Sequence, residues 1–217
     1  MIKLISSIPG SDGIRNIIFD FGNVICDIDI SLTEAKFREF GPGNPDSGSA
    51  EHSAQLFDKL VAQYEAGGVS SPDFRTLIRE HYVVPPSDEA IDLAWNALLL
   101  TIPERRITLL NKVKTAYRIF LLSNSNEIHY LHYLEDFKVK SGLQHFDDLF
   151  EKAYFSFQVK LSKPDPAIFE MVLHENSLIP SETLFIDDTL KHVLAARNAG
   201  INAYHLENGM DICGLFI

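Results

Sequence analysis

Residues 183–205 read Thr183-Leu-Phe-Ile-Asp-Asp188, then Thr189-Leu-Lys-His-Val-Leu-Ala-Ala-Arg-Asn-Ala-Gly200, then Ile201-Asn-Ala-Tyr-His205. A short apolar run, Thr183–Ile186, stops at two carboxylates. A helical pattern over Leu190–Ala199 ends at Gly200, and a second short strand follows at Asn202–His205. Strand, helix and strand at this spacing make the crossover unit of a parallel sheet. Upstream the alternation repeats. Tyr117–Leu122 reads as a strand, Asn126–Phe137 as a helix, Lys152–Ser156 as a strand and Pro166–Glu175 as a helix. Near the start, Asn16-Ile-Ile-Phe19 is a strand that stops at Asp20. The pattern predicts an α/β fold with a doubly wound, Rossmann-like parallel sheet.

One stretch breaks the alternation. From about Ser31 to Ala116 the chain is mostly helical in pattern, with Leu56, Leu60 and Tyr64 at helical spacing and Ile91, Trp95, Leu98 and Leu99 likewise. Ser70-Ser-Pro-Asp73 has the form of a helix start with proline in the first turn. Gly41–Ser49 and Pro85-Pro86 read as breaks. The stretch predicts an insertion over one end of the sheet. The core is then 1–30 and 105–217, and the insertion 31–104.

Composition narrows the partners. The 217 residues carry 19 Lys+Arg against 30 Asp+Glu, a formal charge of -11, with no basic cluster. Nucleic acid and anionic membrane surfaces are excluded as partners on that balance. No apolar run approaches the ~20 residues of a bilayer span. Met1–Gly10 makes a poor signal peptide. Cys26 and Cys213 have no metal-ligand or disulfide pattern and read as free thiols, which points to the cytoplasm. A monomer is the default expectation.

Ligands of open parallel sheets bind outside the carboxyl ends of the strands. Asp20 follows the first strand, with Phe21-Gly22-Asn23 after it; Ser123-Asn124 follow the second. Lys163 lies in the loop after the third, pinned by Pro164 and Pro166, and Asp187-Asp188 follow the fourth. Singly, each has a plain structural reading: turn cap, helix N-cap or solvated charge. Together they put three carboxylates on one edge, where they repel unless a cation sits between them. Such oxygen ligands suit Mg²⁺, which takes one or two carboxylates together with phosphate oxygens. A hydroxyl, an amide and an ammonium suit the remaining phosphate oxygens. Phosphoryl transfer asks mainly for positioning and charge neutralisation, and an Asp carboxylate can be its nucleophile. The eight histidines are scattered, and HExxH, GxSxG and P-loop patterns are absent.

The series Ile18-Phe-Asp-Phe-Gly-Asn-Val24, Leu121-Leu-Ser-Asn124, Ser162-Lys-Pro-Asp165 and Phe185-Ile-Asp-Asp188 resembles the four motifs of the haloacid dehalogenase-like (HAD) hydrolase superfamily. The insertion is similar to the helical cap that follows the first strand in one subgroup. Tyr64-Glu-Ala-Gly-Gly-Val-Ser70 resembles the cap turn of bacterial sugar-phosphatase-like members. The resemblance implies a Mg²⁺-dependent phosphatase acting on a small phosphorylated metabolite. Asp20 would be the nucleophile, Ser123 and Asn124 would bind substrate phosphate, and Lys163 would stabilise Asp20 and the phosphoryl group. Asp20, the Gly22 carbonyl, Asp187 and Asp188 would hold the metal, Asp188 more closely than Asp187.

Gly22 departs from the family pattern, which usually has a second Asp there as general acid and base. Losing such help typically costs about 10²–10⁴-fold. A good leaving group, such as an anomeric or aryl phosphate, or another residue, would have to compensate; Asp27 and Asp29 are expected past the site, at the hinge. Three other readings stay open: carbon–halogen hydrolysis, a phosphorylated receiver domain, and a non-catalytic phosphometabolite binder. The late acidic pair and the insertion weigh against the first two. Phe37, Phe40, Phe57, Tyr64 and Trp95 are candidates to line the inner face of the cap, though aromatics at helical spacing usually form core.

Overall fold

Asn16–Phe19 form β1, four buried residues at the centre of a five-stranded sheet. The computed structural model describes residues 2–6, 8, 10–42 and 50–217, so most of the Gly41–Ser49 break lies outside the described residues. The sheet order is β5 (Lys152–Phe155), β4 (Arg118–Ser123), β1, β6 (Thr183–Asp187) and β7 (Asn202–His205). Every neighbouring pair is parallel. Strands covered on both faces bury continuous apolar runs, as Ile17-Ile-Phe19 and Ile119–Leu122 do.

Alternate side chains go to opposite faces. Ile17, Phe19, Ile119, Leu121 and Ile186 pack with Leu110 and Val113 of α5 (Glu104–Val113) and Tyr133 and Phe137 of α6 (Glu127–Ser141). Ile18, Phe120, Leu122 and Phe185 pack with Ile168 and Phe169 of α8 (Pro166–Glu175) and Ala196 of α9 (Leu190–Asn198). A short helix, α7 (Ser156–Val159), follows β5. The doubly wound α/β sheet read from the sequence is thus present, with strand and helix ends shifted by a few residues at most.

Among the described residues, four helices are inserted after β1: α1 (Ile30–Arg38), α2 (Ala50–Glu65), α3 (Ser71–Glu80) and α4 (Asp88–Asn96). They build their own core from Phe37, Leu60, Tyr64, Phe74, Ile91 and Trp95. Asp29, Ser70 and Ser87 cap α1, α3 and α4 by accepting from backbone N–H groups. The stretch to Ala116 is not helical throughout. Asp27–Ile28 (β2) and Leu99–Thr101 (β3) pair antiparallel where the insertion leaves and rejoins the core. Leu98 and Leu99 continue the period of α4, but pairing with the outgoing strand ends that helix at Asn96. Among the described residues, no helix is long and apolar enough to cross a membrane.

Candidate active site

The sheet register brings the chemistry to one edge. Phe19 sits opposite Leu121 on one side and Ile186 on the other, so Asp20, Ser123 and Asp187 emerge from three adjacent strand ends. Lys163 enters from the loop after α7 and is 3 % exposed. Its ammonium donates to Asp20 Oδ1 at 2.5 Å, Asp187 Oδ2 at 2.8 Å and the Leu122 carbonyl at 2.9 Å. Three donors thus meet three acceptors, and the buried cation is fully satisfied. Asn124 fixes the loop: its amide donates to the Lys163 carbonyl and accepts from the Lys163 N–H, both at 2.9 Å. That side chain, expected at a phosphate, is committed to positioning Lys163.

Asp187 is fully buried, and each of its oxygens is engaged. Oδ1 accepts from the Thr189 N–H at 2.7 Å, and His192 Nδ1 lies 3.2 Å from both oxygens. Burial alone would raise Asp187, but Lys163 and then His192 hold it well below the usual carboxylate range. Asp20 goes the other way. Burial pushes it up, and repulsion from Asp187 and Asp188 adds to that against the pull of Lys163. Asp188 is half-buried; it accepts from Asn23 Nδ2 at 3.0 Å and from Thr189 Oγ1 at 3.1 Å. Oxygens of Asp20, Asp187 and Asp188 lie within 4.8 Å of one another. Asp20 keeps its second oxygen free of hydrogen bonds among the described residues. An all-oxygen, net-anionic cluster of this size fits a hard divalent cation.

Gly22 adds a carbonyl to that edge. The flanking bonds, Cys26 N–H to Phe21 at 2.9 Å and Asn23 N–H to Cys26 at 2.7 Å, use neither polar group of Gly22. Ser123 is 3 % exposed and donates weakly, at 3.3 Å, to the adjacent Asn124 carbonyl. Asp27 and Asp29 lie at the β2–α1 hinge, as expected, and Asp27 pairs with the buried Arg106 at 2.7 Å. The sequence reading missed Asn23, Thr189 and His192. Asn23 had a signal, since Asn tolerates the left-handed backbone it adopts after Gly22 (φ 53°). His192 had none, because its contact with Asp187 exists only once α9 folds.

The model of the haloacid dehalogenase-like hydrolases matches residues 14–200, which span all of these groups. The chain belongs to that family. Among curated proteins, this HAD-like hydrolase is 29% identical over 199 residues to one named D-ribitol-5-phosphate phosphatase from Bacteroides thetaiotaomicron, covering 91% of this chain and 94% of the relative. A crystal structure of a HAD-family enzyme from the same organism superposes with a TM-score of 0.83 at 33% identity, covering 94% of this chain and 98% of the other. Another structure from that organism, in complex with magnesium and inorganic phosphate, gives 0.78 at 32% identity, covering 93% and 98%.

The insertion of this HAD-like hydrolase, together with His129 of α6, lines a cavity of about 690 Å³ to which none of Asp20, Ser123, Lys163, Asp187 and Asp188 contributes. Phe37, Phe57 and Trp95 line it, but Phe37 and Trp95, like Tyr64, belong to the buried core of the insertion, and Phe40 and Phe57 pack against that core. Glu65 and His129 also line the cavity, and the sequence reading singled out neither for the site.

Proposed function

We propose that the chain is a Mg²⁺-dependent phosphatase that hydrolyses small phosphate monoesters, sugar phosphates among them, through an aspartyl-phosphate at Asp20. The observation that carries this reading is the Lys163 ammonium bridging Asp20 and Asp187 inside a cluster of three carboxylates. Asp20, the Gly22 carbonyl, Asp187 and Asp188 would hold Mg²⁺, with Asp188 the closer of the pair because Asp187 is already engaged by Lys163, His192 and Thr189. When bound, Mg²⁺ supplies positive charge to the transferring phosphoryl oxygens.

The free oxygen of Asp20 attacks phosphorus, the bond from phosphorus to the alcohol oxygen breaks, and the alcohol leaves. Lys163 keeps Asp20 oriented and neutralises charge beside it, while Ser123 donates its hydroxyl to a phosphate oxygen. Water then attacks the phosphoryl group, releasing inorganic phosphate and restoring the carboxylate. With Gly22 in place of a second acid, the proton for the leaving oxygen comes from solvent or from elsewhere in the site. The helices 31–104 act as the cap that covers this edge and excludes water.

Similarity to a relative named for a polyol phosphate, and to a neighbour crystallised with magnesium and phosphate, supports the substrate class and the metal. A net charge of -11 leaves nucleic acid out, and the free thiols Cys26 and Cys213 support the cytoplasm. A dehalogenase would have no use for three carboxylates placed where they could hold a divalent cation.

The test is phosphate release from a panel of esters, acetyl phosphate included, with and without Mg²⁺, beside Asp20→Asn. Release that needs Mg²⁺ and falls at least ~10³-fold in the variant is expected. A folded protein that binds Mg²⁺ yet releases phosphate from no ester is a binding module instead.

A further inference from the structure

Among the described residues, Asp188 is the one carboxylate of the cluster that no protein cation holds. The Lys163 ammonium commits its three donors to Asp20, Asp187 and the Leu122 carbonyl. Asp188 keeps two neutral donors: Asn23 Nδ2 on Oδ2 at 3.0 Å and Thr189 Oγ1 on Oδ1 at 3.1 Å. Oxygens of Asp20 and Asp187 lie within 4.8 Å of it, so repulsion pushes it outward until a divalent cation arrives. It also has somewhere to go. Asn23 and Asp188 help line a recess of about 470 Å³ together with Arg105 and Arg106, whose guanidinium groups attract a carboxylate. Without the Asn23 bond, Asp188 would turn towards that recess and away from the cluster.

Asn23 is itself fixed from two sides. Its backbone is left-handed (φ 53°), a conformation that Asn tolerates better than most residues. Its N–H donates to the Cys26 carbonyl at 2.7 Å, and its Oδ1 accepts from the Ile28 N–H at 3.2 Å. A donor on one side and a carboxylate on the other leave the amide a single orientation. Ile28 belongs to β2, by which the chain leaves the core for the insertion, and it pairs with Leu99 of the returning β3. One side chain therefore reaches from the hinge to the metal edge. A cation that pins Asp188 also steadies Asn23 and, through it, the Ile28 N–H; by reciprocity, a steadied hinge favours the cation.

We propose that Asn23 is a positioning residue that keeps Asp188 turned to the divalent cation and makes the hinge strand respond to metal occupancy. This rests on the metal reading above, not on turnover. The test measures Mg²⁺ affinity by calorimetry in the wild type, Asn23→Gly and Asn23→Ala. It also follows amide exchange at Ile28 by NMR with and without Mg²⁺. Glycine takes the left-handed backbone freely and alanine does not, but both lose the two side-chain bonds. Mg²⁺ binding is expected to weaken ~10–100-fold in both variants. In the wild type, Mg²⁺ is expected to slow exchange at Ile28 by ~10-fold or more, an effect absent from Asn23→Gly. An unchanged affinity in folded Asn23→Gly overturns the positioning role. Exchange at Ile28 that ignores Mg²⁺ in the wild type, a result that needs no variant, overturns the coupling to the hinge. A wild type that binds no Mg²⁺ overturns the metal reading and this proposal together. One that binds Mg²⁺ but hydrolyses no ester sinks the phosphatase reading alone, since the affinity and exchange comparisons still decide the role of Asn23.

Discussion

The ring of His129 stacks on Trp95, with centroids 4.8 Å apart, where the inserted helices meet α6. Its Nδ1 accepts from Asn126 Nδ2 at 3.0 Å, and its Nε2–H donates to the Trp95 carbonyl at 3.0 Å, so the contacts define a neutral tautomer. Burial pushes His129 down from 6.5 to about 4. The unfolded chain therefore takes up a proton below about 6.5 that the folded chain refuses until about 4. Stability is complete above the upper value and is lost as pH falls through this window, by at most ~3 kcal/mol. Urea unfolding across the window should show a flatter pH dependence in His129→Gln; parallel profiles would clear His129 of the effect. Gly22 offers a second test. Its φ is ordinary, and an added Cβ would meet only the flexible tip of Ile28, at 3.3 Å. Nothing in the backbone demands glycine there. Gly22→Asp should fold and should raise turnover of alkyl relative to aryl phosphates, towards the ~10² or more that general acid help provides. An unchanged alkyl-to-aryl ratio would show that proton delivery does not limit the rate. Asp20 and Asp187-Asp188 were legible because strand ends announce themselves in one dimension, and Lys163 because Pro164 and Pro166 mark its loop. His129 was not, since it meets Trp95 from 34 residues away, nor was His192, whose contact with Asp187 needs the turn into α9 to form.

The parallel strands were readable for a similar reason: each is an apolar run of about strand length bounded by polar residues or a turn. The β2–β3 ribbon was not. Strands of two and three residues are too short for alternation to register, and Leu98-Leu99 extends the helical period of α4. The turn between α2 and α3 holds a constraint of another kind. Gly67 has φ +68°, and its neighbour is the carbonyl of Phe157, which is backbone and cannot rotate aside. Gly67→Ala adds the left-handed penalty of ~1–2 kcal/mol to that collision, so a loss of ~2–4 kcal/mol is expected. Thermal unfolding measures it. A change within ±0.5 kcal/mol, the usual range for a surface position, would mean that this turn is not held against α7.

The insertion and the sheet are joined at several points. Arg106, 4 % exposed, ties the hinge to the chain end by donating to the Ile25 carbonyl at 3.2 Å, Asp27 at 2.7 Å and Asp211 at 3.2 Å. Asn126, fully buried, accepts from Trp95 Nε1–H at 3.2 Å and from the His129 N–H at 3.0 Å, joining α4 to α6. The site itself works against the folded state without a cation, because Asp20 is buried beside two other carboxylates. Its raised pKa means that the folded chain holds a proton the unfolded chain would release, so metal-free stability falls as pH rises above the ordinary Asp value of 3.8. A cation that binds only the folded cluster reverses this by mass action, giving ~2.7 kcal/mol at a hundredfold excess over Kd. For a chain of this length that is a rise in Tm of ~5–10 °C. Since Mg²⁺ competes with the proton on Asp20, the rise should grow from about pH 5 to about pH 8. Asp188→Asn should remove most of it, and KCl at matched ionic strength should not reproduce it. A Tm shift of equal size in Asp188→Asn would assign the stabilisation to general salt effects and withdraw Asp188 from the metal site.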